Sequence, residues 1–283
     1  MASDLVHNAY GKTGVRLLRL QRSARHEVLE TTLEVRLEGD LAEAYEGDNS
    51  RVLPTDTMKN TVYALARELP FGSAEELCRL LGRHFLATQK QVTKAMLTSV
   101  ERPWQRFGDE AATFIGGGEE RTTVSYTIER KGEDFSEKVR SGISNLLILK
   151  TAKSGFENFP RDRYTTLKEA ADRLLATRLE ATWLFHRSSP EEVDFLAARG
   201  RIMAALLQSF ADHDSKSVQQ TLKAMGEAAL EAASEIDEIH LVMPNKHYLL
   251  VNLEPFGLDN PNQIFLPTDE PAGRIEGTLR RRS

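Results

Sequence analysis

Seven histidines, at positions 7, 26, 84, 186, 213, 240 and 247, and a single cysteine, Cys78, are the side chains here best suited to holding a metal or attacking a carbonyl. Their spacing supports neither role. His26-Glu27 opens like the zinc-protease pattern of two histidines four apart on a helix, but the fifth residue is Glu30 and the stretch alternates like a strand. Asp212-His213-Asp214 resembles a metal cluster in composition, yet it falls between two helical patterns and reads as a polar loop. One cysteine can form neither an intrachain disulfide nor a multi-cysteine zinc site, and Cys78 sits in an apolar helical pattern as a small core residue. The Gly-x-Ser-x-Gly elbow of hydrolases is missing, and Gly116-Gly117-Gly118 lacks the lysine and spacing of a phosphate loop, so it reads as a turn. Metal or thiol chemistry is therefore not what these residues propose.

The elements that must position any site are easier to read. Leu29, Thr31, Leu33, Val35 and Leu37 alternate with Glu30, Thr32, Glu34, Arg36 and Glu38, the pattern of a strand with one buried face. Val124, Tyr126 and Ile128 repeat it, as do Leu179, Ala181, Trp183 and Phe185, and again Ile239, Leu241 and Met243. Half-exposed alternation of this kind predicts antiparallel pairing. Helices are expected where caps precede apolar periodicity: Ser73 with Glu76 before Leu77, Leu80 and Leu81; Ser217 with Gln220 before Leu222, Met225 and Ala229; and Thr55 to Glu68 behind Pro54. Ser189-Pro190-Glu191-Glu192 predicts the start of a long helix buried along Leu196, Met203, Leu207 and Phe210. Leu167, Ala170, Ala171 and Leu174 predict a short helix beginning at Thr165 or Thr166.

The resulting order is strand, strand, helix, helix, strand, strand, followed from about Lys138 by a comparable series with one extra short helix. Two similar α+β halves are implied, 1–134 and 135–283, divided near Gly132 to Ser136. A chain of 283 residues is long enough for both. The 37 basic and 42 acidic side chains give a net charge of −5, against a protein built on nucleic-acid backbone binding. Arg280-Arg281-Arg282 reads as a solvated tail. No run nears the ~18 apolar residues of a membrane span, and the opening MASDLVHNAYGK has no secretory signal, so a cytoplasmic protein is expected.

One further pattern extends from Asn8 to about Arg280. Tyr10-Gly11-Lys12 followed by Val15-Arg16-Leu17, Gly47-Asp48-Asn49, Thr55-Asp56-Thr57-Met58-Lys59-Asn60-Thr61-Val62-Tyr63, Phe159-Pro160-Arg161-Asp162-Arg163-Tyr164-Thr165-Thr166-Leu167 and Pro244-Asn245-Lys246-His247 occur in order. In these five blocks the chain resembles the urate oxidase (uricase) family. The resemblance implies two tandem tunnelling-fold halves, each an antiparallel sheet with helices on one face. It also implies barrels in a homotetramer with active sites between subunits, and oxidation of urate by O2 to 5-hydroxyisourate and hydrogen peroxide without a cofactor or metal.

By the same correspondence Arg173 is the positive fork for the flat urate anion. Gln219 supplies an amide, Val218 its backbone, and Phe156 a ring to stack on. Val218 and Gln219 directly follow the expected cap Ser217, where free N–H groups favour an anion. Lys12, Thr55 and His247 correspond to the relay that withdraws a proton, Asn245 with Thr55 to the site that holds oxygen or water, and Asp56 to a backbone contact with substrate. Buried at a subunit interface, Lys12 would act as the base, with Thr55 carrying the proton onward. Taken singly, each has a plainer reading: Lys12 a strand-end lysine, Thr55 or Asp56 a cap, Asn245 a turn residue, Phe156 core. Two alternatives stay open. One is a zinc-dependent tunnelling-fold enzyme, which the absence of a His-x-His pair opposes; the other is a silent purine-binding protein, which would need no proton relay. The ending Arg281-Arg282-Ser283 lacks the Ser-Lys-Leu of eukaryotic relatives, which agrees with the cytoplasm of a prokaryote.

Overall fold

The alternating stretches are strands and the capped stretches helices in a computed structural model of the chain, which describes residues 3–186 and 192–282. Two compact units divide it, Met1–Ile143 with Trp183–Ala198 and Ser144–Thr182 with Arg199–Ser283.

In the first unit β1 (Tyr10–Gln21) and β2 (Glu27–Gly39) precede α1 (Thr55–Glu68) and α2 (Ala74–Thr88). Then come β3 (Val92–Arg102), a small ribbon of β4 (Trp104–Arg106) and β5 (Phe114–Gly116), and β6 (Arg121–Lys131). The sheet runs β1-β2-β3-β6 with antiparallel pairing throughout. Its inner face consists of the alternating residues read from the sequence: Leu33, Val35 and Leu37 are fully buried, with Leu97, Tyr126 and Ile128 beside them. Met58 and Val62 of α1 and Leu77, Leu81 and Phe85 of α2 supply the other half of this core.

Two strands, β7 (Asp134–Lys150) and β8 (Leu175–Phe185), contribute residues to both units. The second unit adds α3 (Phe195–Asp212) from Arg199 onward, α4 (Val218–Ala232), β9 (Ile236–Leu250) and β10 (Phe265–Arg280), with the sheet order β8-β9-β10. Leu222, Met225 and Ala229 of α4 are buried, as are Ile239, Leu241 and Met243 of β9.

The helices α2 and α4 carry a repeat that element order alone does not reveal. Ser73 and Ser217 both cap, their hydroxyls accepting the N–H of Glu76 at 3.2 Å and of Gln220 at 3.1 Å. In both, the third residue reaches back one position beyond the cap: Glu76 accepts from Gly72 N–H, and Gln220 from Lys216 N–H. Nine residues past each cap stands a glycine pressed on the sheet. A Cβ at Gly82 would lie 2.8 Å from Ile128 Cδ1, and one at Gly226 2.8 Å from Leu279 Cδ1.

Three expectations are corrected. The segment 165–174 is not a helix: Leu167 is half exposed, so no buried face pays for nucleation, and the backbone of Ala170 pairs with Phe156 instead. The long helix begins at Phe195, with Asp194 Oδ1 accepting from Ala197 N–H at 2.9 Å; Ser189, Pro190 and Glu191 lie outside the described residues. Its buried face is Phe195, Ala198, Ile202, Leu206 and Phe210, whereas Leu196 and Leu207 are exposed, so the stripe is turned from the one read. The terminal arginines are also partly engaged. Arg280 meets Glu238 Oε2 through Nε at 3.2 Å and Nη2 at 2.6 Å, and Arg281 donates to the carbonyls of Leu230 and Ala233 at the end of α4 and of Ile236 at the start of β9. A guanidinium has enough donors to satisfy the open carbonyls that end a helix. No helix among the described residues is long and apolar enough to cross a membrane.

Candidate functional site

Strand β1 breaks step immediately after Lys12. Its register against β2 shifts between Lys12 and Val15, with Gly14 at a φ of 68° that glycine adopts without strain. A Cβ at Gly11 would fall 1.9 Å from Val35 O, so the approach to β2 beside Lys12 also needs glycine. The Tyr10 hydroxyl accepts the N–H of Leu53 at 2.9 Å and ties this strand to the segment that enters α1.

Thr55 opens α1 behind Pro54, and no side chain caps this end. Met58 N–H bonds Pro54 O at 3.2 Å; the amides ahead of it have no helical carbonyl to reach and stand at the positive end of the helix dipole. The carboxylate of Asp56 is taken up within the helix, accepting from Lys59 Nζ at 2.5 Å and Asn60 Nδ2 at 3.3 Å. Lys59 holds that carboxyl below the usual carboxylate range, with a smaller contribution from Lys12. What Asp56 has left to offer a ligand is its main chain.

The second unit gathers another set. Phe156 and Arg173 lie on an irregular segment held by main-chain bonds: Phe156 N–H to Ala170 O at 2.7 Å, Ala170 N–H to Phe156 O at 3.1 Å, and Arg173 N–H to Ser154 O at 2.7 Å. Gly155 lets these runs close up, since a Cβ there would meet the backbone oxygen of Ala171 at 2.8 Å. Gly155→Ala is therefore expected to separate Phe156 from Arg173 and to lower thermal stability by about 1–3 kcal/mol. A melting curve checks it.

The Arg173 guanidinium carbon stands 5.1 Å from the centroid of the Phe156 ring, which stacks in turn on Phe159 at 4.9 Å and 10°. Burial lowers the Arg173 pKa from its ordinary value, and its Nε is buried without a hydrogen-bond partner among the described residues. A donor left so costs about 1–3 kcal/mol until an acceptor arrives. Arg173, Asn245 and His247 line one cavity of about 430 Å³, together with Asp172, Leu174 and Tyr248. Asn245 and His247 are two apart on β9, which places them on one face of the strand. The His247 carbonyl accepts from Thr268 Oγ1 at 3.1 Å, where the pairing of β10 shifts register before Gly273. Val218 and Gln219 occupy the first turn of α4, Val218 buried and Gln219 exposed.

The expected residues thus fall into two sets. Lys12, Thr55 and Asp56 belong to the first unit; Phe156, Arg173, Val218, Gln219, Asn245 and His247 belong to the second, where Arg173, Asn245 and His247 share the cavity. Among the described residues no group of three or more His, Cys, Asp or Glu is placed to hold a metal ion. Phe159 behind Phe156 stood out in the sequence only as part of a motif, and the buried hydroxyls of Ser215 and Thr221 escaped sequence reasoning because neither a serine ahead of the cap nor a threonine inside α4 carries a spacing signal.

Against known proteins, a family model described as uricase matches residues 8–127 and 139–276. The uricase of Arthrobacter globiformis is 42% identical over 280 residues, covering 98% of this chain and 90% of that one. That of Dictyostelium discoideum is 39% identical over 287 residues, covering 99% and 98%. The crystal structure of the Arthrobacter globiformis uricase superposes with a TM-score of 0.92 at 41% identity, covering 99% of this chain and 96% of that one. A uricase structure from Bacillus fastidious, 22% identical, shares the fold with a TM-score of 0.85.

Proposed function

The chain belongs to the uricase family and is a urate oxidase, and from that premise we propose which of its residues bind urate and which move its proton. The half-buried Arg173 guanidinium, its buried Nε without a partner among the described residues, lies over Phe156 in a cavity shared with Asn245 and His247 and carries this reading. Urate is a flat, electron-rich anion with acceptors in its plane. Arg173 meets two of them, Phe156 stacks on the ring, and the start of α4 offers the amide of Gln219 and the backbone of Val218.

Lys12, Thr55 and His247 withdraw the proton that makes urate a good reductant, and Asn245 with Thr55 holds O2 and later water beside the ring. The reaction balances as urate, O2 and water giving 5-hydroxyisourate and hydrogen peroxide: two electrons leave the purine for oxygen, and water supplies the hydroxyl. The protein's share is orientation, deprotonation and exclusion of bulk water, without a cofactor.

We place the two sets of residues in one site by assembly. Strands β1 and β10 are the outer strands of their units' sheets, with hydrogen-bonding edges open to another chain. Apolar side chains are also exposed at the β9–β10 end, Leu249, Leu250, Phe256, Leu258, Ile264 and Leu266 among them. A homotetramer that pairs such edges brings Lys12, Thr55 and Asp56 of one copy to the cavity of its neighbour. The halves 1–134 and 135–283 act as tandem repeats in this scheme, supported by their common element order and the matching cap-to-glycine spacing of α2 and α4.

The test is incubation of purified, chelator-treated protein with urate in air, following the urate absorbance, oxygen uptake and peroxide. Stoichiometric loss and uptake without added metal or flavin support the reading. Urate binding without turnover would leave a silent binder.

A further inference from the structure

The urate-binding residues of the second unit come from two separate segments, the loop that carries Phe156 and Arg173 and the first turn of α4. We infer that Ser215 is the positioning residue that joins them, an inference that rests on the urate-binding role proposed for both segments.

Ser215 is 1% exposed and forms a single parallel bridge with Ser154. Its N–H donates to Lys153 O at 2.9 Å, and its carbonyl accepts from Gly155 N–H at 2.8 Å, so its backbone brackets the residue whose carbonyl receives Arg173 N–H. The side chain faces the helix. Ser215 Oγ donates to Ser217 O at 3.1 Å and accepts from Thr221 Oγ1 at 2.7 Å; Thr221, also 1% exposed, is in bonding distance of Ser217 O at 3.3 Å. Ser217 is the cap that sets the first turn, in which Val218 and Gln219 lie. The approach to Ser215 is fixed as well, since Lys150, buried at the end of β7, donates to Phe210 O at 3.1 Å and to His213 O at the close of α3. One residue therefore links the two segments, its backbone holding the loop that carries the ring and guanidinium and its hydroxyl holding the amide-bearing turn. Buried hydroxyls bonded on every side hold such geometry because any rearrangement leaves an unpaired polar group.

Such a residue sets how well urate is gripped and leaves the proton relay untouched. Ser215→Ala and Thr221→Val are each expected to raise KM for urate about threefold to tenfold, the worth of a buried hydrogen bond. In both, kcat at saturating urate stays within about twofold and keeps its pH profile, because Lys12, Thr55 and His247 lie on β1, α1 and β9, away from Ser215 and Thr221 in sequence. Thr221→Ser restores the wild-type KM, and the double variant is no worse than Ser215→Ala alone, because that change already removes the bond the two side chains share. A melting temperature lowered with KM unchanged in Ser215→Ala and Thr221→Val would overturn the inference, and so would a loss of kcat alone. If Ser215→Ala does not fold, the Thr221→Val and Thr221→Ser pair decides. Failure of the wild-type protein to bind or oxidise urate would instead refute the functional reading beneath it.

Discussion

Arg173→Ala is expected to raise KM for urate by about two to three orders of magnitude. The guanidinium offers urate two parallel charge-assisted hydrogen bonds, each worth about 1.5–3 kcal/mol. Alanine removes both and the cation that covers the Phe156 ring. Because Arg173 sits in an environment that already penalises its charge and leaves Nε without a partner among the described residues, part of its binding contribution is stored before urate arrives. Arg173→Lys separates charge from shape: it retains a cation but not the planar fork, and recovers less than about a tenth of the lost affinity. Equilibrium dialysis with radiolabelled urate under nitrogen measures binding apart from turnover. Unaltered affinity in Arg173→Ala would remove the anion site from this cavity.

Lys12→Met should act on the other kinetic constant. Removing a general base typically costs about 10²–10⁴-fold in rate, so kcat falls by that factor while urate affinity stays near the wild-type value. Methionine keeps the length and apolar stem of lysine, so β1 retains its bulge beside Gly14. The contrast between the variants is the informative part: Arg173→Ala empties the site of substrate, and Lys12→Met leaves substrate bound and unreacted. A Lys12→Met enzyme that turns over at the wild-type rate would assign the proton to another group.

How far these elements were legible in the sequence depends on whether local physics decided them. The α1 boundaries, Thr55 to Glu68, and the caps Ser73 and Ser217 were readable because a cap and an amphipathic period are local features. The buried face of β2 was readable because side chains alternate on any strand. The segment 165–174 misled because Leu167, Ala170, Ala171 and Leu174 keep helical spacing, while the backbone of Ala170 is claimed by Phe156, fourteen residues away in sequence. The stripe on α3 was misjudged by one position, since small Ala198 faces inward and the larger Leu196 does not. Arg280 and Arg281 looked like a tail because nothing nearby in sequence announces Glu238 or the end of α4.

The site itself was legible only through the family resemblance. Lysine, threonine, arginine and asparagine are ordinary surface residues until a fold converges them, and these come from β1, α1, the 151–174 loop, α4 and β9. One signal was present and unread: the spacing from Ser73 to Gly82 equals that from Ser217 to Gly226, and in both cases the glycine lets a helix lie against a sheet side chain. Residue-level likeness between the halves was therefore available at that point.

Sites proposed to be shared between copies can be tested directly with two inactive proteins. Lys12→Met and Arg173→Ala homo-oligomers are each expected to be nearly silent at low urate. After co-refolding equal amounts, a site built from two chains draws an intact Lys12 and an intact Arg173 at random, so activity should return to about a quarter of the wild-type value per site. Activity that stays at the sum of the two separate variants, in a mixture shown by mass spectrometry to contain mixed oligomers, would place Lys12 and Arg173 in a site made by one chain.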